Sequence, residues 1–134
     1  MIATRRLTDD FHTAAQIAPE DVALLKAQGF TTLINHRPDG EAPDQPASAA
    51  IRERAAREGL RYIDIPVSGA PTMTQARATA DAAEGKTLAF CRTGTRSTAA
   101  WAMAQDDVDA ALRTAADAGY PFPPAFEAAI RAAR

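Results

Sequence analysis

The reading turns on Leu88-Ala89-Phe90-Cys91-Arg92-Thr93-Gly94-Thr95-Arg96-Ser97. Three apolar residues run into the only cysteine of the chain, a glycine-bearing loop follows, and Ser97-Thr98-Ala99-Ala100-Trp101 resumes helix-forming sequence. Strand, loop and helix in that order place a thiol at the mouth of a loop whose amides turn inward. Amides at a helix start carry partial positive charge and bind anions. The same field favours thiolate over thiol, which makes Cys91 a nucleophile. A lone cysteine is more often an inert core residue. The loop and its two arginines, Arg92 and Arg96, reverse that expectation. Cys91, Arg96 and Ser97 are therefore the candidate catalytic residues. Arg92, Thr93, Gly94, Thr95 and Arg96 form the candidate anion cradle, a phosphate-binding type of loop (P-loop).

The remaining chain reads as scaffold. Its 134 residues suit one domain, residues 1–134, with a core of its own. Apolar residues make up 46 % and charged residues 24 %, and the net charge of −2 argues against a nucleic-acid partner, which calls for a basic face. No apolar run is long enough for a membrane span, and the first residues lack the apolar core of a signal peptide. One cysteine forbids an internal disulfide, and one cysteine with two scattered histidines (His12, His36) cannot build a thiolate zinc site. The expectation is a cytoplasmic protein with no metal, no cofactor and no membrane partner.

Outward from the loop, apolar β-branched runs at 30–35, 60–67 and 87–90 read as strands, with a weaker edge strand over 10–17. Helices are expected from Pro19, over 47–58 with Ala47, Ile51 and Ala55 inward, over 72–84 from a Thr72–Gln75 capping box, over 97–105, from Val108, and near the end. Gly29, Gly59 and Gly85 end three of them. Residues 121–124 read as a stiff connector, with Phe126 and Ile130 facing the core. Strand–helix alternation implies an α/β fold of three layers. Its mostly parallel sheet has four to five strands, with helices on both faces. The Pro/Gly-rich loop after Asn35 lies at the carboxyl end of a strand, where such sheets place their ligands. Arg37, Asp39 and Glu41 are candidates to line the site from there, against the alternative of a solvated turn. Asp64, an acid among apolar strand residues, is a further second-layer candidate.

Cys-Arg-Thr-Gly-Thr-Arg resembles the active-site loop of rhodanese-type sulfurtransferases in length and pattern. Cysteine-dependent phosphatases use a loop one residue longer. The wider set Leu33-Ile34-Asn35-His36-Arg37-Pro38-Asp39-Gly40-Glu41, Tyr62-Ile63-Asp64-Ile65-Pro66-Val67 and Cys91 to Ser97 is similar to the bacterial beta-lactamase hydrolase-like family, over about residues 16–120. That resemblance implies a tyrosine/dual-specificity-phosphatase-like fold. Some members of that family are fused to a persulfide dioxygenase domain, which implies a place in sulfur metabolism. The small domain alone is expected here.

Two chemistries follow, both with Cys91 as thiolate and Arg96 in the cradle. Sulfur transfer makes a Cys91 persulfide and passes it to an external thiol or cyanide. Its leaving group is already a stable anion. Phosphomonoester hydrolysis makes a phosphocysteine and needs an acid to protonate the departing alkoxide. Dual-specificity phosphatases carry that acid just after an Ile-Pro-Val-like strand, where Ser68 and Gly69 stand here, which leaves Asp39 or Asp64 as the candidate acid from another loop. Sulfur transfer from a small anionic donor is the favoured expectation and phosphatase action on a phosphoester the alternative. A non-catalytic anion- or partner-binding domain is the third reading.

Overall fold

The structure, a computed structural model, describes residues 2–133. Five strands form one sheet in the order β1-β2-β5-β3-β4, with β1 Arg5–Thr8, β2 Phe11–Ala14, β3 Thr32–Asn35, β4 Arg61–Asp64 and β5 Thr87–Phe90. All pairs are parallel except the β1–β2 hairpin. Helices α1 (Asp21–Ala27), α2 (Ser48–Glu58) and α3 (Met73–Ala82) connect the strands, and α4 (Thr95–Met103), α5 (Val108–Asp117) and α6 (Pro124–Ala132) follow β5.

Alternation along the strands builds the two cores. In β3 and β5, Leu33, Leu88 and Phe90 face one side with Val22, Leu25, Ile51 and Ala55 of α1 and α2. Ile34 and Ala89 face the other, with Ala76, Ala99, Trp101, Met103, Ala111 and Ile130 of α3 to α6. A period of two is the signature of a strand covered on both faces. Each cluster removes a layer of apolar surface from water, the main favourable term in folding. The expected three-layer α/β architecture is what forms.

The N-terminal region departs from expectation. The segment expected as an edge strand, β2, lies inside the sheet, paired with β5 along Phe11↔Thr87 to Ala14↔Phe90. The edge is β1, whose Arg-Arg-Leu-Thr sequence gives little strand signal because only Leu7 turns inward. Exposed charges on an edge strand also discourage pairing with other chains. Ala47 is likewise exposed at the start of α2, and the inward position belongs to Ser48. The capping box at α3 forms as read, with Gln75 N donating to Thr72 Oγ1 (3.2 Å) and Thr72 N to Gln75 Oε1 (2.9 Å). Helix α4 begins two residues before Ser97, inside the loop, so the loop itself supplies the helix start.

Among the described residues, no helix is long and apolar enough to cross a membrane.

Candidate active site

Strand β5 delivers Cys91 to the carboxyl edge of the sheet, between β2 and β3. The ladder continues past the strand ends: Cys91 N donates to Ala14 O (3.4 Å) and His36 N to Phe90 O (2.8 Å). Both neighbours therefore fix the loop's root. The thiol has no exposed surface, and Gly94 N donates to its sulfur at 3.1 Å. An amide aimed at sulfur stabilises negative charge there. Gly94 turns the chain with φ +94°, and a Cβ at that position would run into the Tyr120 ring and hydroxyl. Both facts select glycine. Beneath the turn lies a buried hydroxyl network. Thr98 Oγ1 donates to Gly94 O (2.8 Å) and lies 3.0 Å from Thr13 Oγ1, which is 3.2 Å from Tyr120 Oη.

Arg96 is held by partners on two other segments. Its Nη1 donates to Glu41 Oε2 (2.8 Å) and to Val67 O (2.7 Å), and its Nη2 donates to Glu41 Oε1 (2.8 Å). Three of five N–H donors are thereby used, leaving Nε–H and one Nη2–H. That remaining edge is the two-pronged face suited to an oxyanion. Glu41 also accepts from Arg37 Nε (3.0 Å), and Arg37 Nη1 donates to Gln16 Oε1 (3.2 Å). The hydrogen bonds from Arg96 and then Arg37 hold the Glu41 carboxyl down at about 2, against the desolvation that opposes them. The hydrogen bond to Glu41 in turn raises Arg96 above the ordinary arginine value. Gln45 braces this loop, accepting from Glu41 N (3.0 Å) and donating to Pro38 O (2.9 Å).

Ser97 is the third residue of α4, and Gly94 stands at its cap. Ser97 therefore does not cap the helix. Its hydroxyl lies 2.7 Å from His36 Nδ1, and His36 Nε2 lies 2.8 Å from Thr79 Oγ1. Thr79 donates its own proton to Gln75 O (2.9 Å), so it accepts from His36 Nε2–H. Nδ1 is then the bare nitrogen, and Ser97 donates to it. Complete burial, and secondarily the Arg96 charge, lower the His36 pKa to about 3.

Above the loop opens a cavity of about 700 Å³, lined among others by Arg37, Glu41, Arg92, Thr93, Thr95 and Arg96. Three arginines face one carboxylate there, a net attraction for anions. The structure brings together Cys91, the cradle residues, Ser97 and Arg37. The Asp39 and Asp64 side chains have other partners and do not line the cavity. Asp39 Oδ1 accepts from Ser48 N (2.8 Å) at the start of α2. Asp64 accepts from Ser48 Oγ (2.5 Å) and pairs with Arg52. Ser68 is exposed and Gly69 is part of the lining, so no acid stands after Val67. Phe126 faces the core as expected, packing half-buried against the cluster that holds Ile130, and its remaining surface lines the cavity together with Pro123. Sequence reading also missed His36, Gln16, Thr13 and Tyr120. For His36 a signal existed, since it directly follows the last residue of a buried strand. The other three are ordinary polar residues until the chain is folded.

The family model of the beta-lactamase hydrolase-like protein, phosphatase-like domain, matches residues 3–108, the stretch that holds the hairpin, Arg37, Glu41 and the loop from Cys91 to Ser97. The chain belongs to that family. A beta-lactamase hydrolase-like protein of Agrobacterium fabrum is 41 % identical over 97 residues, covering 69 % of this chain and 22 % of the relative. One from Xylella fastidiosa is 39 % identical over 84 residues, covering 58 % of this chain and 19 % of the relative. The chain thus spans about a fifth of these relatives' length. Among solved structures, a candidate phosphatase of Neisseria meningitidis is 27 % identical with a TM-score of 0.82, each chain covered to 97 %. PTPMT1 in complex with PI(5)P shares the fold at 13 % identity and a TM-score of 0.77, with 96 % of this chain and 92 % of that one covered. The chain therefore has a tyrosine/dual-specificity-phosphatase-like fold, and the phosphatase-like family supports an enzyme. These likenesses favour phosphoester hydrolysis over sulfur transfer.

Proposed function

We propose that this domain is a sulfurtransferase in which Cys91 takes a sulfane sulfur and passes it to an external thiol or cyanide. The observation that carries the proposal is the cavity's acid inventory. Among the described residues, the one carboxylate in its lining, Glu41, is bound by two arginines and held ionised down to about pH 2, so it cannot donate a proton near neutrality. An alkoxide leaving group needs such a donor. A thiolate or sulfite does not. With thiosulfate, the Cys91 thiolate attacks the outer sulfur, the new S–S bond forms as the old one breaks, and sulfite leaves with its electron pair. The persulfide's terminal sulfur then sits under Arg96 and the loop amides, where its charge is stabilised. A loop of six residues suits one projecting sulfur better than a phosphoryl group with three oxygens. Arg92, Thr93, Gly94, Thr95 and Arg96 are its proposed anion-binding residues, and Ser97 and Arg37 its supports. Shared fold does not decide between chemistries grafted on it.

The second reading, a phosphomonoester phosphatase, draws support from the family's phosphatase-like character and from the Neisseria meningitidis neighbour. On this reading the Cys91 thiolate attacks phosphorus, the P–O bond breaks and the leaving group departs without a proton from a carboxylate. Water then attacks the phosphocysteine and releases phosphate and the thiolate. The first step is limited to leaving groups that are stable as anions. One experiment separates the two. Purified protein is incubated with thiosulfate and its mass measured, beside an aryl-phosphate assay on the same sample. A gain of one sulfur on Cys91, absent in Cys91→Ser, is the expected result. No adduct together with efficient phosphate release, on the order of 10⁴ M⁻¹s⁻¹ or more in kcat/KM, overturns the proposal in favour of the phosphatase.

A further inference from the structure

The cavity is larger than the reacting anion needs. Its volume of about 700 Å³ lies within the range of sites that enclose whole organic ligands. A sulfite, thiosulfate or phosphate ion needs only a small part of that volume. Two of the three arginines are already engaged, Arg96 by Glu41 and Val67 and Arg37 by Glu41 and Gln16. Arg92 differs from both. Its side chain is exposed, and among the described residues its guanidinium has no hydrogen-bond or ion-pair partner. Its backbone is nevertheless fixed, because Gln16 N donates to Arg92 O at 3.3 Å. The rest of the lining includes an apolar set: Pro123 and Phe126 of the α6 region, with Ala42. Helix α6 is anchored by buried Ile130, and Phe126 and Ala129 pack against the same core cluster, so that wall is held in place.

The site therefore offers a reactive cradle, a cation with no partner among the described residues, and an apolar surface. We infer that the sulfur donor is an organic persulfide bearing a carboxylate. Its terminal sulfur meets Cys91, its carboxylate pairs with Arg92, and its methylene segment lies on Phe126 and Pro123. The inference rests on the sulfur-transfer reading. A guanidinium with its donors unoccupied matches a carboxylate in a two-bond geometry. The step balances without any further reactant. The Cys91 thiolate attacks the terminal sulfur of R–S–SH, a Cys91 S–S bond forms, the donor's S–S bond breaks, and R–S⁻ leaves. The proton stays on the transferred sulfur, and there is no net oxidation.

The test uses two donors of equal size, the persulfide of 3-mercaptopropionate and the persulfide of its neutral amide, with thiosulfate as a third. Wild type is expected to favour the carboxylate donor over the amide by at least about tenfold in kcat/KM, and Arg92→Gln to bring that ratio to within about twofold. Phe126→Ala is expected to raise KM for both organic donors and leave their ratio in place. Equal rates for the two donors in wild type, or a ratio unchanged in Arg92→Gln, overturn the inference. Labelling of Cys91 by thiosulfate but by neither organic persulfide also overturns it and leaves the sulfurtransferase reading standing. Failure of all three donors to leave sulfur on Cys91 overturns that reading itself.

Discussion

Arg96 shows how much of this site is donor accounting. Glu41 and Val67 take the Nη1 side and one Nη2 hydrogen, and what remains is a paired edge toward the loop. Lysine at this position keeps the charge but loses both the fork and the clamp. Arg96→Lys is expected to fold and to lose at least about tenfold in kcat/KM, on the order of 1.4 kcal/mol of transition-state stabilisation. Steady-state kinetics beside a thermal melt checks it, and unchanged kinetics would make Arg96 a structural residue only. Ser97 belongs to the same scale. Removing its hydroxyl strands His36 Nδ1, a buried acceptor, and an unsatisfied buried group costs about 1–3 kcal/mol. Ser97→Ala is expected to lose that much in chemical denaturation. A loss of turnover at undiminished stability would instead give the hydroxyl a direct chemical role. The sequence named Cys91, Arg92, Arg96 and Ser97 as one group because they are contiguous. It added Asp39 from the loop after a strand end and Asp64 as an acid among apolar strand residues, and the fold gives those carboxylates to Ser48 and Arg52.

At the scale of the element, the loop and α4 are one unit whose shape depends on Gly94. The positive φ and the Tyr120 hydroxyl both exclude a side chain. Gly94→Ala is expected to destabilise by about 1–3 kcal/mol, the usual cost of a non-glycine residue forced into that backbone region. It also moves the amide that points at the Cys91 sulfur, so activity falls with stability. Tyr120→Phe in the same chain recovers only part of the loss, since the ring contact remains. Equal stability of Gly94→Ala and wild type in urea would show that the loop relaxes freely. The hairpin illustrates the opposite situation. Arg5–Thr8 carries almost no strand signal, yet it forms because β2 offers a free edge and Leu7 a buried position. An edge strand takes its structure from its neighbour more than from its own residues.

Across the whole molecule, two buried or clamped groups set the acid limit. His36 is lowered to about 3 from an ordinary 6.5. Between those values the unfolded chain binds a proton that the folded chain refuses, so stability falls as pH drops from 6.5 toward 3. The slope from this one group reaches about 1.4 kcal/mol per pH unit. Glu41 is lowered to about 2 from 4.5, so its contribution is complete above 4.5 and disappears as pH falls toward 2. Unfolding free energy measured from pH 7.5 to pH 4 is therefore expected to decline from about 6.5 and steepen below about 4.5. A flat profile between pH 7 and 5 would mean that His36 is not held neutral by its burial.

The amino-acid sequence alone determined the alternation of strands and helices, the position of the nucleophile and the length of its loop. These are local matters: apolar periodicity, helix stops, and residues adjacent along the chain. It could also exclude an acid after Val67, since that place is named by its neighbours in sequence. Only the tertiary structure decided which charges meet. Glu41 lies 55 residues from Arg96 and His36 lies 61 from Ser97. Each pair is brought together because parallel pairing of β3 with β5 sets their carboxyl ends side by side. The same holds for the cavity wall, since the direction in which α6 turns Phe126 depends on what Ile130 finds to pack against, and no local pattern encodes that.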